Sequence, residues 1–309
     1  MVKVAIIGAG EMGAWFADNY QRKGLEVRIT DKDEQKESCI AKKFAIGKGS
    51  LGEIIADADE VLIATPRDAI KQILRDNKRI LTGKVIYDIA SVKNGTAGRL
   101  GAVSRNSVSL HPMWGGAASG FEYQNLVMIP TVNLDNNKYN KFFQSFKDRF
   151  EKYGLHVKVV QDEHEHDQLM AWNLAAYHFI HLVTGLAFSK SGFDVMKHLS
   201  VEGTTATLSR ICTEAVVHSD PKLYADIQMH NPYVAEALRT IMDCAANVKE
   251  LVLAKDIAGF ASAMKAAQEY FLSGTKISGY LPNAMEQFAR AAKEAKKYEF
   301  RPRTISSVI

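Results

Sequence analysis

Short apolar runs recur along the first half of the chain, at residues 4–7, 27–29, 61–64, 85–89, 108–110, 126–129 and 157–160. They are short for helices and rich in β-branched residues, as suits strands covered on both faces. Between several of them the apolar positions switch to helical spacing, at residues 12–23, 69–78 and 138–153. Gly154 follows the last of these helices where a left-handed terminating residue belongs, just before the final run. Strands alternating with helices predict a doubly wound α/β domain on a parallel sheet.

The pattern changes near residue 160. From residue 164 onward nothing reads as a strand, and long helical stretches are broken at Ser191-Gly192, Asp220-Pro221, Asn231-Pro232 and Gly274. The expected division is residues 1–160 for the α/β domain and 161–309 for an all-helical one, in keeping with about 100–200 residues per domain. Residues 168–188 are apolar on nearly every side. Such a helix must be buried, either by intertwining with a second subunit or at the centre of a monomeric core.

Composition narrows the function. The 309 residues are 47% hydrophobic and 24% charged, ordinary values for a globular protein. The net charge of +4 is spread among interspersed residues. That is not the clustered cationic face of a nucleic-acid binder, and it suits a small anionic ligand. No stretch reaches the roughly 18 uninterrupted apolar residues of a membrane span. The N-terminus runs into a strand without the features of a signal peptide. A cytoplasmic protein is expected. Cys39, Cys212 and Cys244 are too scattered for a disulfide framework or a zinc site; the last two read as small core residues.

Gly8-Ala9-Gly10-Glu11-Met12-Gly13 follows the first strand and opens a helix. Gly8 makes the tight turn, Gly10 lets the backbone approach a pyrophosphate, and Gly13 lets the helix pack on the strand. The helix start then offers free N–H groups to the anion. Asp31 closes the second strand 18 residues after Gly13. A carboxylate there accepts hydrogen bonds from ribose hydroxyls and repels a 2′-phosphate, which favours NAD over NADP; Lys32 beside it softens that discrimination. The whole is a Rossmann-type nucleotide site. Ala64-Thr65-Pro66 ends another strand at the ligand-binding edge of such a sheet. It lines the adenosine side or the approach to the nicotinamide, or is an ordinary connecting loop.

Two further strand ends carry candidate chemistry. One leads to Ser91-Val92-Lys93; the other reads Ser109-Leu110-His111-Pro112-Met113-Trp114-Gly115. His111 has the side chain whose ordinary pKa suits acid–base work near neutrality, or it is a core histidine. Ser91 is a ligand group or the N-cap of a helix after it. Trp114 walls the pocket or packs in the core. His164 and His166, two residues apart, do not share a helix face. With Glu163, Glu165 and Asp167 they read as an acidic helix start, and no metal is expected.

Taken in order, the glycine turn, Ser91-Val92-Lys93, His111-Pro112-Met113-Trp114-Gly115 and Glu165-His166-Asp167-Gln168 resemble the prephenate dehydrogenase family. The resemblance continues through His178-Phe179 and Asp220-Pro221-Lys222-Leu223-Tyr224-Ala225-Asp226-Ile227. It implies NAD-dependent oxidative decarboxylation of prephenate to 4-hydroxyphenylpyruvate, in tyrosine biosynthesis. Hydride passes from the hydroxyl-bearing ring carbon to NAD as the ring carboxylate leaves as CO₂. His111 is then the acceptor of the hydroxyl proton, Ser91 bonds the same hydroxyl or His111, and His178 is a substrate group. The helical half becomes a dimerisation domain.

One departure stands out. The family's carboxylate-binding arginine, about five residues before the Asp-Pro, is replaced by Ala215. Arg210 is the candidate in its place, with Lys190 and Lys197 as others; the alternative for Arg210 is an ion-paired helix residue. Arogenate dehydrogenase is the alternative activity within the class. A β-hydroxyacid dehydrogenase would need a lysine on the long helix, and residues 168–188 contain none. A non-catalytic dinucleotide sensor on the same fold is the alternative from another class.

Overall fold

The computed structural model describes residues 1–274 and 280–299. In the first half the strands are β1 (Lys3–Ile7), β2 (Glu26–Thr30), β3 (Gly47–Lys48), β4 (Glu60–Ile63), β5 (Val85–Asp88), β6 (Ser107–Pro112), β7 (Asn125–Pro130) and β8 (His156–Val159). The helices among them are α1 (Glu11–Arg22), α2 (Glu34–Phe44), α3 (Leu51–Asp57), α4 (Arg67–Asp76), α5 (Lys78–Leu81), α6 (Ala97–Val103) and α7 (Asn137–Lys152). After β8 come α8 (Glu163–Met170), α9 (Ala176–Ser191), α10 (Val195–Ser200), α11 (Thr204–Val217), α12 (Pro221–His230), α13 (Val234–Leu253), α14 (Ile257–Gly274) and α15 (Tyr280–Glu299). A single π-turn, Ala171–Ala175, joins α8 to α9.

The chain divides into two compact units. One holds Met1–Ala171 with Met229–Tyr233; the other holds Trp172–Gln228 and the residues from Val234 onward. This contact boundary lies beyond residue 160 because α8 is part of the first unit, with His166, Asp167 and Met170 buried there. In the same unit Asn231 donates its side-chain amide to the Asp167 carbonyl at 2.7 Å.

The sheet of the first unit runs β3-β2-β1-β4-β5-β6-β7-β8. Successive residues of one strand feed opposite layers. Val4 and Ile6 join the aromatic layer of Phe16, Tyr20, Phe121, Phe143 and Phe150. Ala5 and Ile7 join Ile54, Ile70, Leu74, Leu81 and Leu100 on the other face. Each fully buried large apolar side chain contributes about 1.5–3 kcal/mol. Helix α7 shows how the pattern selects the fold: its buried residues are Tyr139, Phe143, Phe146 and Phe150, one face at helical spacing. Gly154, with φ of +95°, takes the left-handed position that ends it.

Two expectations are corrected. The sheet is not wholly parallel, because β7 runs antiparallel to β6. No helix crosses over between them, and a parallel return needs such a crossover. The edge strand β3 was not foreseen, since two residues carry no alternation.

The described elements of the second unit are all helices. The breaks at Ser191-Gly192 and Asp220-Pro221 fall where the sequence placed them, while those at 201–203 and 254–256 carry no proline or paired turn signal and were not foreseen. Gly192, with φ of +74°, terminates α9. Helix α9 itself is not the core of a monomer. Tyr177, Leu182, Val183, Leu186 and Phe188 are each more than 40% exposed in the single chain. Exposed apolar residues continue on α13 and α14, including Val252, Ile257 and Met264. Cys212 and Cys244 are exposed as well, not packed in a core as expected. Among the described residues no helix is long and apolar enough to cross a membrane.

Candidate active site

The carboxyl ends of the parallel strands form one edge of the first unit. Reading across it in spatial order, β2 ends at Asp31, β1 at the glycine turn, β4 at Ala64-Thr65-Pro66, and β5 leads to Ser91. Next to β5 comes β6, with His111 as its penultimate residue. At about 4.8 Å per strand, the ends of β1 and β6 lie about 14 Å apart.

The glycine turn is built for a backbone-close ligand. Gly8 has φ of +113°, and a Cβ there would stand 2.3 Å from the Ala64 carbonyl oxygen. A Cβ on Gly13 would meet the Gly8 carbonyl oxygen at 1.9 Å, so α1 seats on β1 only with glycine there. At Gly10 the chain places nothing within 4 Å. That open cradle precedes the first turn of α1 and suits a pyrophosphate on its free N–H groups. Ala9 is buried, and its N–H donates to Asp31 Oδ2 at 2.6 Å. Glu11 and Met12 open the helix; the Glu11 carboxylate accepts the N–H of Gly116 at 3.0 Å. The residues present therefore fit a dinucleotide.

Trp114 lies in the loop that follows β6. It packs against Trp15, with ring centres 5.1 Å apart, and belongs with the aromatic layer beneath α1. Trp15 in turn donates its indole N–H to the Ala118 carbonyl at 2.7 Å. These contacts fasten the loop after His111 to the helix that begins at the glycine turn.

His111 is 4% exposed. Its Nδ1 lies 2.9 Å from Nε2 of His166 on α8. The other nitrogen of His166, Nδ1, lies 2.7 Å from Asp167 Oδ1. Asp167 accepts the backbone N–H groups of Lys93 on Oδ1 at 3.0 Å and of Asn94 on Oδ2 at 2.9 Å. The Lys93 side chain is wholly buried, donating to Asp88 Oδ2 at 3.0 Å and to the Leu110 carbonyl at 2.6 Å. Asp88 also accepts the Ser109 hydroxyl. One buried polar line thus runs under the ends of β5 and β6.

Burial, reinforced by His166 and the Lys93 charge, holds the His111 imidazole well below its usual pKa. Burial lowers His166 as well, opposed by its bond to Asp167. Burial also lowers Lys93, against the pull of Asp88. At neutral pH both imidazoles are uncharged. An uncharged His111 has a lone pair free to accept a proton.

Ser91 sits half-buried in the bend after β5. It is not a helix N-cap: the next helix, α6, begins at Ala97 behind Thr96. The largest gap in the sequence reading concerns His166 and Asp167. The acidic helix start expected there is present, with Glu163 and Glu165 in the first turn of α8, but that pattern does not tell that His166 meets His111. Asp162 caps α8 through the His164 and Glu165 N–H groups, and His164 is exposed. Burial separates the roles, and the turn of α8 decides burial.

In the helical unit, His178 stacks on Tyr224 with ring centres 4.1 Å apart. Burial and then His181 hold its pKa down to about 4. Its Nδ1 is buried without a hydrogen-bond partner among the described residues. Arg210 is engaged by carboxylates, with Glu202 at 2.8 Å and Glu214 at 2.9 Å. A substrate carboxylate at Arg210 would have to displace them.

Comparison with known proteins places this geometry. A curated protein of Methanocaldococcus jannaschii, "Probable arogenate/prephenate dehydrogenase", is 26% identical over 284 residues, covering 90% of this chain and 63% of that protein. The "T-protein" of Enterobacter agglomerans is 24% identical over 227 residues, covering 73% of this chain and 56% of that protein. The chain thus spans less than two thirds of either relative. The crystal structure of prephenate dehydrogenase from A. aeolicus, in complex with hydroxyphenyl propionate and NAD+, has the same fold. Its TM-score is 0.72 at 18% identity, with 89% of this chain and 99% of that chain covered. The family model for the nucleotide-binding domain of prephenate dehydrogenase matches residues 16–158, beginning just after the glycine turn. The model for its dimerization domain matches residues 162–266. With both domains matched in order over most of its length, the chain belongs to the prephenate dehydrogenase family.

Proposed function

We propose that this protein is a cytoplasmic, homodimeric, NAD-dependent dehydrogenase that oxidatively decarboxylates prephenate to 4-hydroxyphenylpyruvate. The observation that carries the reading is the row of strand ends in the first unit. A ribose carboxylate, a pyrophosphate cradle and a buried uncharged histidine lie along one edge of the sheet, at the ends of β2, β1 and β6.

Gly8, Ala9, Gly10, Glu11, Met12 and Gly13 hold the pyrophosphate at the start of α1, and Asp31 reads the ribose hydroxyls. Ala64, Thr65 and Pro66 line the path between them and the reacting end. NAD held there supplies the acceptor for the two electrons and the hydrogen lost from the ring carbon. His111 takes the hydroxyl proton as that carbon becomes a carbonyl-like centre. Ser91 donates to the same hydroxyl or to His111. Loss of the ring carboxylate as CO₂ makes the ring aromatic, so the protein's task is mainly to orient the reactants and hold the base. His178, in the helical unit, serves as a substrate group, and Trp114, in the first unit, as a wall of the nucleotide-side pocket. The dimerization-domain match and the exposed apolar face of α9 support the homodimer.

The test is NADH formation by the purified protein offered prephenate and arogenate separately. Turnover of prephenate is the expected result. Turnover of arogenate alone replaces the substrate, and silence with both leaves a nucleotide-binding protein without this chemistry.

A further inference from the structure

We infer that His166 and Asp167 are positioning residues that fix the tautomer of His111, leaving its Nε2 as the bare lone pair that meets the substrate hydroxyl. The inference rests on the dehydrogenase reading for its catalytic meaning, but its structural half stands alone.

Both oxygens of Asp167 already accept backbone N–H groups, from Lys93 and Asn94. An ionised carboxylate has only acceptors to offer, so the contact from His166 Nδ1 must be donated by the ring. A neutral imidazole carries one proton. With Nδ1 protonated, Nε2 of His166 is a lone pair. The 2.9 Å contact between that atom and His111 Nδ1 then requires the proton to be on His111 Nδ1. By exclusion, Nε2 of His111 is the acceptor. Three successive hydrogen bonds thus carry the assignment from two backbone amides to the reacting nitrogen.

The same chain serves the chemistry. The hydroxyl O–H bond breaks, its electron pair stays on oxygen, and the proton joins His111 Nε2. The Nδ1–H of His111 keeps its acceptor throughout, so no hydrogen bond is lost as the charge forms. The charged groups on the surrounding elements are Lys93 and Asp88, paired with each other beneath β6, and Asp167 beyond His166. Without His166, the two tautomers of His111 would compete, and the one with Nε2–H has its lone pair on Nδ1, away from the substrate hydroxyl.

Nuclear magnetic resonance of isotope-labelled histidine nitrogens tests this in the full-length protein, with NAD present and no substrate. Wild type should show His111 protonated at Nδ1 only; protonation at Nε2 overturns the proposal. In His166→Phe, which keeps bulk but offers no acceptor, the Nε2–H form should appear and kcat should fall about 10²–10⁴-fold. His166→Gln places a carbonyl oxygen within reach of Nδ1. It should restore the Nδ1–H form and recover at least about tenfold in kcat over His166→Phe, the worth of one hydrogen bond. Equal kcat and equal tautomers in the two variants would reduce His166 to packing. Should wild type be inactive on both cyclohexadiene acids, the dehydrogenase reading fails while the resonance experiment still decides the tautomer.

Discussion

The carboxylate of Asp31 accepts the backbone N–H of Ala9 at 2.6 Å, binding the end of β2 to the middle of the glycine turn. Its other oxygen accepts the N–H of Asp33 at 2.8 Å. The residue expected to read the ribose is therefore also a strut of the pyrophosphate cradle. Asp31→Ala should weaken NAD binding by about tenfold or more, the worth of one or two charge-assisted hydrogen bonds. It should also narrow the gap between NAD and NADP, because the repelling charge is gone. Fluorescence titration with both nucleotides checks this; an unchanged preference would assign the ribose to another group.

Gly10 and Gly13 should fail differently. Gly13→Ala forces a methyl against the Gly8 carbonyl, a backbone clash that α1 relieves only by moving off β1. Overpacking of this kind costs about 1–3 kcal/mol, visible in denaturant unfolding together with lost nucleotide binding. Gly10→Ala meets nothing in the chain itself. Its stability should stay within about 1 kcal/mol, the scale of a cap change, while NAD affinity drops. Equal behaviour of the two variants would show that Gly10 does not face the ligand.

His111→Asn should lower kcat by about 10²–10⁴-fold with NAD affinity nearly intact. The pH profile adds a sign. Burial depresses the His111 pKa below the ordinary 6.5. The neutral, working form therefore persists as pH falls through 6.5, and kcat/KM should decline only below that value. Stability follows the same group: the unfolded chain takes up the proton near 6.5 while the folded chain does not. Folding free energy is thus lost as pH drops beneath it. A kcat/KM limb centred at or above 6.5 would remove His111 from the proton transfer.

The exposed face of α9 should be covered in the assembled protein. Leu182 and Leu186, one turn apart, are 46% and 51% exposed in the single chain. Replacing both by glutamate buries unpaired charges in a homodimer at about 3 kcal/mol or more apiece. Sedimentation equilibrium should report a monomer for the double variant and a dimer for the parent; a persistent dimer would move the interface elsewhere.

Much of this was legible in the chain. Seven of the strand runs, the glycine turn, the terminating Gly154 and the helix breaks at Ser191-Gly192, Asp220-Pro221 and Asn231-Pro232 are legible in patterns a few residues long. His111 too could be singled out, from its strand end and the ordered motifs around it. The proton line behind it could not. His166 sits in a motif that also makes a good helix start, and its neighbour His164 in the same motif is exposed. For Arg210 the sequence left a substrate ligand and an ion-paired helix residue open, and the fold pairs it with Glu202 and Glu214.

By itself, then, the sequence determined what local spacing can encode: which segments are strands or helices, where they stop, and where a backbone must be bare to admit a phosphate. Tertiary structure alone decided which distant groups meet. The antiparallel return of β7, the face of α8 turned to the interior, and the carboxylates on Arg210 are each set by packing. So is the pairing of His111 with His166. A hydrogen bond between residues 55 positions apart has no signature in either neighbourhood. It exists because the Lys93 and Asn94 amides hold Asp167, and with it α8, against the end of the sheet.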